Sequence, residues 1–291
     1  MKKRYISYYF CILIIKNLVN MKTLILVFSI LSMSIMSEAQ TKTTNKNVVF
    51  IHGAWSTGDV WDNYKIYFSE QGFNTISSTL AYHSIEQNDS LIGVSMEDYV
   101  NQIRKVLKTF ENPPTIVAHS MGCVIAQRLA MEGLISKMVL IAPPANYGML
   151  PPSESIKSVN WVSKVKDLKN NLAKPTFEQA VNGMLHNLSK EKQKEVYSKM
   201  TYESGLVMKE MIWIKNLFGS KPNKIKYSKI SIPVLFVSGG IDNASPVKIS
   251  KKLMNKYKIN TELKVFEKNA HWMMEENNWK EIADYITKWI N

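Results

Sequence analysis

Residues 115–122 read Thr-Ile-Val-Ala-His-Ser-Met-Gly, and this stretch decides the predicted fold. Its apolar beginning is typical of a buried strand, and a helix is predicted directly after it. A serine at such a junction is typical of a nucleophile elbow, a strained turn that exposes the hydroxyl above the sheet. The elbow needs small residues two positions before and after Ser120. Gly122 meets this need, and Ala118 departs from the usual glycine by one methyl group. A serine that only caps the helix is the alternative.

Short apolar runs and amphipathic segments alternate along the chain, which indicates an α/β fold. Strands are predicted at 48–51, 73–78, 115–118, 137–141, 234–237 and 262–266, and helices at 60–71, 95–110, 121–131, 246–257 and 278–290. Ser95 and Asp98 predict a capping box for the second helix. The alternation indicates a mostly parallel sheet of about six strands flanked by helices. Residues 153–218 show only helical periodicity. We therefore interpret 143–229 as an inserted helical cap and 40–142 with 230–291 as the α/β core.

Two more residues follow predicted strands in the order that a serine triad requires. Asp242 lies in a glycine-rich turn after strand 234–237, and His271 lies in the loop after the last strand. Parallel strands bring these loops to one edge of the sheet, so we expect both side chains near Ser120. His271 would accept the serine proton, and Asp242 would fix the imidazole tautomer. Taken alone, Asp242 could be a helix-capping residue, and His271 could be a solvated side chain in a loop. Their joint order favours a catalytic triad.

The segment His52-Gly53-Ala54-Trp55 follows the first parallel strand. Glycine lets the backbone approach a reacting centre closely. We predict that the Ala54 and Met121 N–H groups form an oxyanion hole. His52 is interpreted as structural rather than catalytic.

The segments IHGAW, AHSMG, GGIDNASP and NAHW resemble the α/β-hydrolase superfamily over about residues 47–291. The His-Gly-Ala turn is similar to the lidded serine esterase branch, which includes plant methylesterases and hydroxynitrile lyases. The resemblance implies cleavage of a carboxylic ester, thioester or lactone through an acyl-enzyme on Ser120, in the manner of a carboxylesterase or lipase. It implies a small-molecule ester substrate with an apolar acyl or aryl group, and no metal or other cofactor.

Four tryptophans are predicted to line the substrate pocket, namely Trp55, Trp161, Trp213 and Trp272. Bulky apolar residues at helical spacings in the cap fit a pocket for acyl or aromatic groups. The cap residues fit equally well a role in holding the cap together, and Trp55 fits plain core packing equally well.

Two other function classes fit the same motifs. A C–C hydrolase or lyase would use the same triad, and a charged base such as a cap lysine would favour it. A non-catalytic, hydrolase-like ligand-binding protein is the third class, which the intact triad disfavours.

The first 39 residues are interpreted as a leader. The apolar run 23–36, followed by Ser37-Glu38-Ala39, is typical of a secretory signal peptide cleaved before Gln40. We therefore expect an exported protein, periplasmic or secreted. Met21 is a second possible start of translation, and an uncleaved N-terminal anchor is the alternative. The apolar runs are shorter than the ~20 residues of a membrane span, so no stable span is expected after cleavage.

Of the formal net charge of +13, the leader holds +4 and residues 154–229 of the cap hold +8, from fifteen lysines and seven acidic residues. This excess fits attraction to anionic surfaces, or simply solvated lysines on helix faces. No arginine cluster or nucleic-acid motif accompanies it, so we expect no nucleic-acid partner. The sequence leaves the oligomeric state undefined.

Overall fold

A six-stranded parallel sheet forms the centre of the computed structural model, which describes residues 46–211, 224–259 and 261–291. The strands of the described residues are β1 (Asn47–Ile51), β2 (Asn74–Ser78), β3 (Thr115–His119), β4 (Lys137–Ile141), β5 (Leu172–Ala173), β6 (Glu203–Ser204), β7 (Val234–Gly239) and β8 (Thr261–Phe266). The order across the sheet is β2-β1-β3-β4-β7-β8, and every neighbouring pair is parallel. The predicted leader, residues 1–39, lies outside the described residues.

Nine α-helices lie in the described residues. They are α1 (Asp62–Glu70), α2 (Met96–Leu107), α3 (Gly122–Ala130), α4 (Ser153–Val159), α5 (Phe177–Ala180), α6 (Lys190–Lys199), α7 (Gly205–Met211), α8 (Val247–Met254) and α9 (Trp279–Ile290). A π-helical turn, Val181–Leu185, continues α5. Helix α2 begins with the predicted capping box, because the Ser95 hydroxyl accepts the Asp98 N–H while the Asp98 carboxylate accepts the Ser95 N–H at 2.8 Å. No helix of the described residues is long and apolar enough to cross a bilayer.

Burial along the strands follows their place in the sheet. Strands β3 and β7 are buried along their whole length, as are β1 and β4 after their first residue. Strands β2 and β8 lie at the edges and are partly exposed. Continuous apolar runs are typical of parallel strands that are covered on both faces. The core therefore lies around the central strands, below the loops that follow them.

The sheet order determines which loops can meet. Strands β1 and β3 are neighbours, so the His-Gly-Ala turn lies beside the serine turn. Strands β7 and β8 are neighbours, so the loops carrying Asp242 and His271 lie side by side. Strand β4 separates the two pairs. The histidine loop must therefore extend across the ends of β7 and β4 to approach Ser120.

The α/β architecture and the six strands of the sheet are as predicted, with element ends shifted by a few residues. The prediction of purely helical structure for 153–218 was wrong at one place. Strands β5 and β6 pair antiparallel within this segment, with Ala173 opposite Glu203. Two-residue strands are too short to produce a period-2 pattern, which explains the error. We use "cap" for residues 143–229 and "ribbon" for β5 with β6.

Candidate active site

Ser120 lies in a strained turn between β3 and α3. Its φ is +48°, a left-handed conformation that non-glycine residues rarely adopt. The backbone N–H of Ser120 donates to the Ile141 carbonyl at 2.9 Å, which ties the turn to strand β4. Ala118 is buried between β1 and β4, and its methyl group fits there. The backbone therefore has the form predicted from the sequence.

Gly122 explains why the turn packs so closely. A Cβ atom at this position would lie 2.6 Å from the His52 carbonyl oxygen and 2.7 Å from that of Ile51. Both neighbours are backbone atoms of β1 and its following loop, which cannot move aside. The small residue two positions after the serine is therefore a steric requirement of this fold.

Asp242 and His271 are hydrogen-bonded to each other. The His271 Nδ1–H donates to Asp242 Oδ2 at 2.9 Å, and both side chains are almost fully buried. The other carboxylate oxygen, Oδ1, accepts the N–H groups of Ala244 and Ser245, each at 2.8 Å. These bonds fix the carboxylate, which in turn fixes the tautomer of the imidazole. Nε2 of His271 is left as the proton acceptor.

Ser120 and His271 line the same cavity. Among the described residues no hydrogen bond joins the Ser120 hydroxyl to the imidazole. Hydrogen bonds between nucleophile and base are often long without substrate and shorten in the Michaelis complex. The structure thus brings all three predicted triad residues to one edge of the sheet.

Ala54 and Met121, the predicted oxyanion donors, also line this cavity. Within the described part of the chain, no acceptor receives the N–H of either residue. The loop carrying Ala54 lies against the serine turn, since a Cβ on Gly53 would be 3.0 Å from the Ser120 Cβ. Two N–H groups are thus available beside the hydroxyl.

His119 supports the loop that carries His271, a contact that the sequence reasoning missed. Its Nε2–H donates to the His271 carbonyl at 3.0 Å, and the two rings lie 4.8 Å apart. The bond joins the end of β3 to the histidine loop across the intervening strands. Burial, together with the nearby His271, lowers the pKa of His119 well below its usual value, so the ring is neutral. The position of His119 directly before Ser120 was the feature of the sequence that could have indicated this contact.

Glu276 was also missed. Its buried carboxylate accepts the Ala270 N–H at 3.0 Å, the Asn269 amide at 2.8 Å and the Asn187 amide at 2.6 Å. Burial raises the pKa of Glu276, and these donors counteract the shift. The carboxylate holds the backbone immediately before His271 and connects it to the cap.

His52 is structural, as predicted. Its side chain is fully buried, and Nε2 accepts the Leu80 N–H at 2.9 Å. Burial, together with the nearby His83, lowers the pKa of His52 to about 3. The ring is therefore neutral and serves as a hydrogen-bonding spacer below the loop.

The cavity has a volume of about 270 Å³ and is mostly apolar. The cap contributes Ile156, Val159, Val162, Met184, Met208 and Met211 to its walls. Of the predicted pocket tryptophans, Trp55 and Trp272 line it. The prediction for Trp161 was wrong, because its ring packs against Trp55, with centroids 5.6 Å apart, and does not line the cavity. Trp213 lies outside the described residues.

The charge of the cavity wall is low. In the described part of the chain, no lysine, arginine, aspartate or glutamate lines it. No group of three or more His, Cys, Asp or Glu side chains among the described residues could hold a metal ion. The arrangement offers a hydroxyl, an oriented imidazole and two N–H donors in an apolar space.

The sequence matches the alpha/beta hydrolase family over residues 48–285, and the chain belongs to this family. It is 34% identical over 128 residues to "Probable lysophospholipase BODYGUARD 1" of Arabidopsis thaliana, a match that covers 38% of this chain and 26% of the relative. The match therefore spans about a quarter of that relative's length.

Solved structures share the fold. An extracellular alpha/beta-hydrolase from a Paenibacillus species, described as homologous in structure and function to tobacco salicylic acid binding protein 2, superposes with a TM-score of 0.62 at 18% identity. That comparison covers 83% of this chain and 98% of the other. A methylesterase from Arabidopsis gives a TM-score of 0.63 at 16% identity, covering 84% and 98% of the two chains. Esterases are thus among the structural neighbours of this hydrolase.

Proposed function

We propose that this protein is a serine hydrolase that cleaves carboxylic esters through an acyl-enzyme on Ser120. The observation that carries the proposal is the buried Asp242–His271 hydrogen bond of 2.9 Å beside the strained Ser120 turn, in one cavity. Membership of the alpha/beta hydrolase family and the esterase neighbours support the same reaction.

In the proposed mechanism, the Ser120 oxygen attacks the ester carbonyl while Nε2 of His271 takes its proton. The C–O π bond opens, and the resulting oxyanion accepts hydrogen bonds from the Ala54 and Met121 N–H groups. Asp242 stabilises the imidazolium. The imidazolium then protonates the leaving alcohol, and the acyl group remains on the serine. A water molecule, deprotonated by His271, attacks the acyl-enzyme. The bond between Ser120 Oγ and the acyl carbon then breaks, the imidazolium returns the proton to Ser120 Oγ, and the acid is released.

We propose a neutral, apolar ester as the substrate. The cavity wall offers methionines and aliphatic side chains, which adapt to acyl or aryl groups. A substrate with a charge inside the cavity would find no counter-charge on the described residues and would lose its hydration. The related protein named as a probable lysophospholipase also fits a lipid-like ester.

Hydrolysis is preferred to C–C cleavage or lyase chemistry. A lysine supplied by the cap was the feature expected to favour a lyase, and no lysine of the described residues lines the cavity. The non-catalytic alternative is disfavoured by the completeness of the hydrogen bonds around Asp242 and His271.

The experiment compares wild-type protein with Ser120→Ala. Wild type is expected to hydrolyse p-nitrophenyl butyrate, and Ser120→Ala should lower kcat by ~10⁶-fold, as loss of a serine nucleophile does elsewhere. Fluorophosphonate labelling should disappear in the variant while its thermal unfolding stays unchanged. Unaltered turnover in Ser120→Ala would refute the mechanism.

The same assay tests the substrate class. The p-nitrophenyl hemiester of succinate has the chain length of the butyrate but ends in a carboxylate. We expect its kcat/KM to be ~100-fold lower, because the carboxylate would be buried without a partner. Equal rates for the two esters would argue against an uncharged pocket.

We also propose that the protein is exported, with cleavage before Gln40. The apolar run that ends in Ser37-Glu38-Ala39 supports this. The extracellular origin of the Paenibacillus hydrolase is compatible with it.

A further inference from the structure

Trp55 combines a strained backbone with two anchors to the cap. Its φ is +60°, within a turn formed by Ala54 and Trp55. The indole N–H donates to the Ala173 carbonyl at 2.9 Å, and the Trp55 carbonyl accepts the Thr201 N–H at 3.0 Å. A left-handed conformation at a bulky residue persists where its surroundings fix it. Here both the side chain and the main chain are fixed.

One anchor lies in the ribbon, and the other lies just before its second strand. Ala173 is the second residue of β5, and Thr201 lies two residues before β6, which pairs with β5. The Thr201 hydroxyl additionally contacts the Ser56 carbonyl at 3.5 Å. The ribbon thus holds the loop that follows β1, residues 52–57, which we call the oxyanion loop.

The ribbon is itself anchored in the core. The carboxylate of Glu203 in β6 is fully buried, accepting a hydrogen bond from Tyr99 at 2.7 Å and pairing with His83 at 2.9 Å. The Ser204 hydroxyl donates to the Val94 carbonyl at 2.6 Å. These contacts fix the ribbon relative to α2 and the loops beside it, so the ribbon can act as a rigid support.

The opposite side of the oxyanion loop packs against the serine turn. A Cβ on Gly53 would lie 2.9 Å from His119 Nδ1 and 3.0 Å from the Ser120 Cβ. The loop is therefore enclosed between the serine turn and the ribbon. A shift of Trp55 would move the adjacent Ala54 N–H relative to the Ser120 hydroxyl.

We propose that Trp55 is a positioning residue for catalysis: its indole N–H bond to the Ala173 carbonyl lets the cap ribbon hold the Ala54 N–H in place for the oxyanion. The proposal rests on the proposed function and deepens it. It gives the cap ribbon a part in the chemical step, in addition to the cap's contribution to the cavity wall. Sequence reasoning considered Trp55 only for the pocket wall or for plain core packing.

The test replaces Trp55 with 3-benzothienylalanine, in which sulfur takes the place of the indole N–H while the ring shape is kept. We expect kcat for p-nitrophenyl butyrate to fall about 10-fold, which is near the upper end of the ~2–13-fold effect of one neutral hydrogen bond and below the ~10²–10³-fold effect of losing an oxyanion donor. KM should stay within about twofold, because the cavity wall is unchanged. Rates are normalised to the fraction of protein that fluorophosphonate labels.

Trp289 supplies the matched control. Its indole N–H donates to Glu262 at 3.1 Å on the surface of α9, and it does not line the cavity. The same isostere at position 289 also removes one tryptophan hydrogen bond and should leave kcat unchanged. Trp55→Phe provides a second variant, with the same loss of kcat and a change in KM from its smaller ring.

The outcomes separate this inference from the proposed function. Wild-type turnover that depends on Ser120, together with an unchanged kcat for the isostere at position 55, overturns the positioning role alone. An equal loss of kcat at positions 55 and 289 also overturns it, since the effect would then be general. Wild-type protein without Ser120-dependent turnover overturns the proposed function and this inference with it.

Discussion

Gly122 is the residue at which the serine turn packs against β1 and the loop that follows it. An added Cβ would meet two backbone carbonyl oxygens at 2.6 and 2.7 Å. We expect Gly122→Ala to lower the free energy of unfolding by ~2 kcal/mol or more, because overpacking against backbone forces the turn to shift. Urea denaturation followed by circular dichroism measures the change.

Ala118 gives the matched comparison within the same turn. Ala118→Gly restores the usual small residue before the serine and removes one buried methyl group, so the cost should be only ~1 kcal/mol. Ester turnover per labelled serine should remain near wild type. If Gly122→Ala proves as stable as Ala118→Gly, the steric explanation of the turn is wrong.

Single residues were predictable where their type and loop position carried the chemistry. Ser120, Asp242 and His271 each follow a strand, and the parallel sheet brings them to one edge. His119 and Glu276 escaped prediction because their roles depend on hydrogen bonds to the backbone of the His271 loop. Such bonds depend on how a loop folds over the sheet, which strand patterns do not specify.

At the scale of elements, a buried ionic pair joins the ribbon to the loop after β2, and a hydrogen bond joins it to α2. His83 Nε2 lies 2.9 Å from Glu203, both side chains are fully buried, and Tyr99 donates to the same carboxylate. Burial alone lowers the pKa of His83, but the charge and hydrogen bond of Glu203 outweigh this effect and raise it. The neutral ring of His52 packs edge-on against His83 at 5.1 Å. The folded protein therefore holds the His83 proton more tightly than the unfolded chain does.

This raised pKa predicts how stability depends on pH. The stabilising contribution of the His83–Glu203 pair is fully present below pH ~6.5, the pKa of a histidine in the unfolded chain. It is lost as the pH rises through the higher pKa of His83 in the folded protein. Wild type should lose up to ~1.4 kcal/mol per pH unit above pH ~6.5 relative to Glu203→Gln, in which the charge is absent. Urea denaturation from pH 6 to 9 measures the difference.

Glu195 offers a control for that measurement. It forms exposed pairs with Lys192 and Lys199, so Glu195→Gln should change stability by less than ~0.5 kcal/mol at every pH. A wild-type minus Glu203→Gln difference that is flat from pH 6 to 9 would contradict a charged His83 in the folded state.

Strands and helices were predictable when they were long enough to show a clear hydrophobic period. The buried strands and the long amphipathic helices α2 and α9 lie close to their predicted positions. The ribbon was missed, because two residues per strand leave no periodic pattern. Its position is determined by tertiary contacts instead, mainly the buried Glu203 and the Trp55 anchors. The same contacts carry the proposed link between cap and catalysis.

At the scale of the whole molecule, the use of cysteine is compatible with the proposed export and equally with other compartments. The chain has two cysteines, Cys11 in the proposed leader and Cys123 in α3. Cys123 is fully buried, with its thiol directed to the Ala118 carbonyl at 3.3 Å. Removal of the leader would leave a chain that can form no intrachain disulfide. Its stability therefore depends on the apolar core, which suits a hydrolase of this size in any redox compartment.

The leader itself provides the last prediction. Signal peptidase accepts small side chains at the first and third positions before the cut, here Ala39 and Ser37, and tolerates larger ones between them. Protein expressed from the full sequence should appear outside the cytoplasm with Gln40 at its N-terminus, as measured by intact mass. Ala39→Tyr should keep the leader attached, whereas Glu38→Tyr, at the tolerant middle position, should be cleaved like wild type. Cytoplasmic wild-type protein that retains residues 21–39 would show instead that the apolar run is not a cleaved signal.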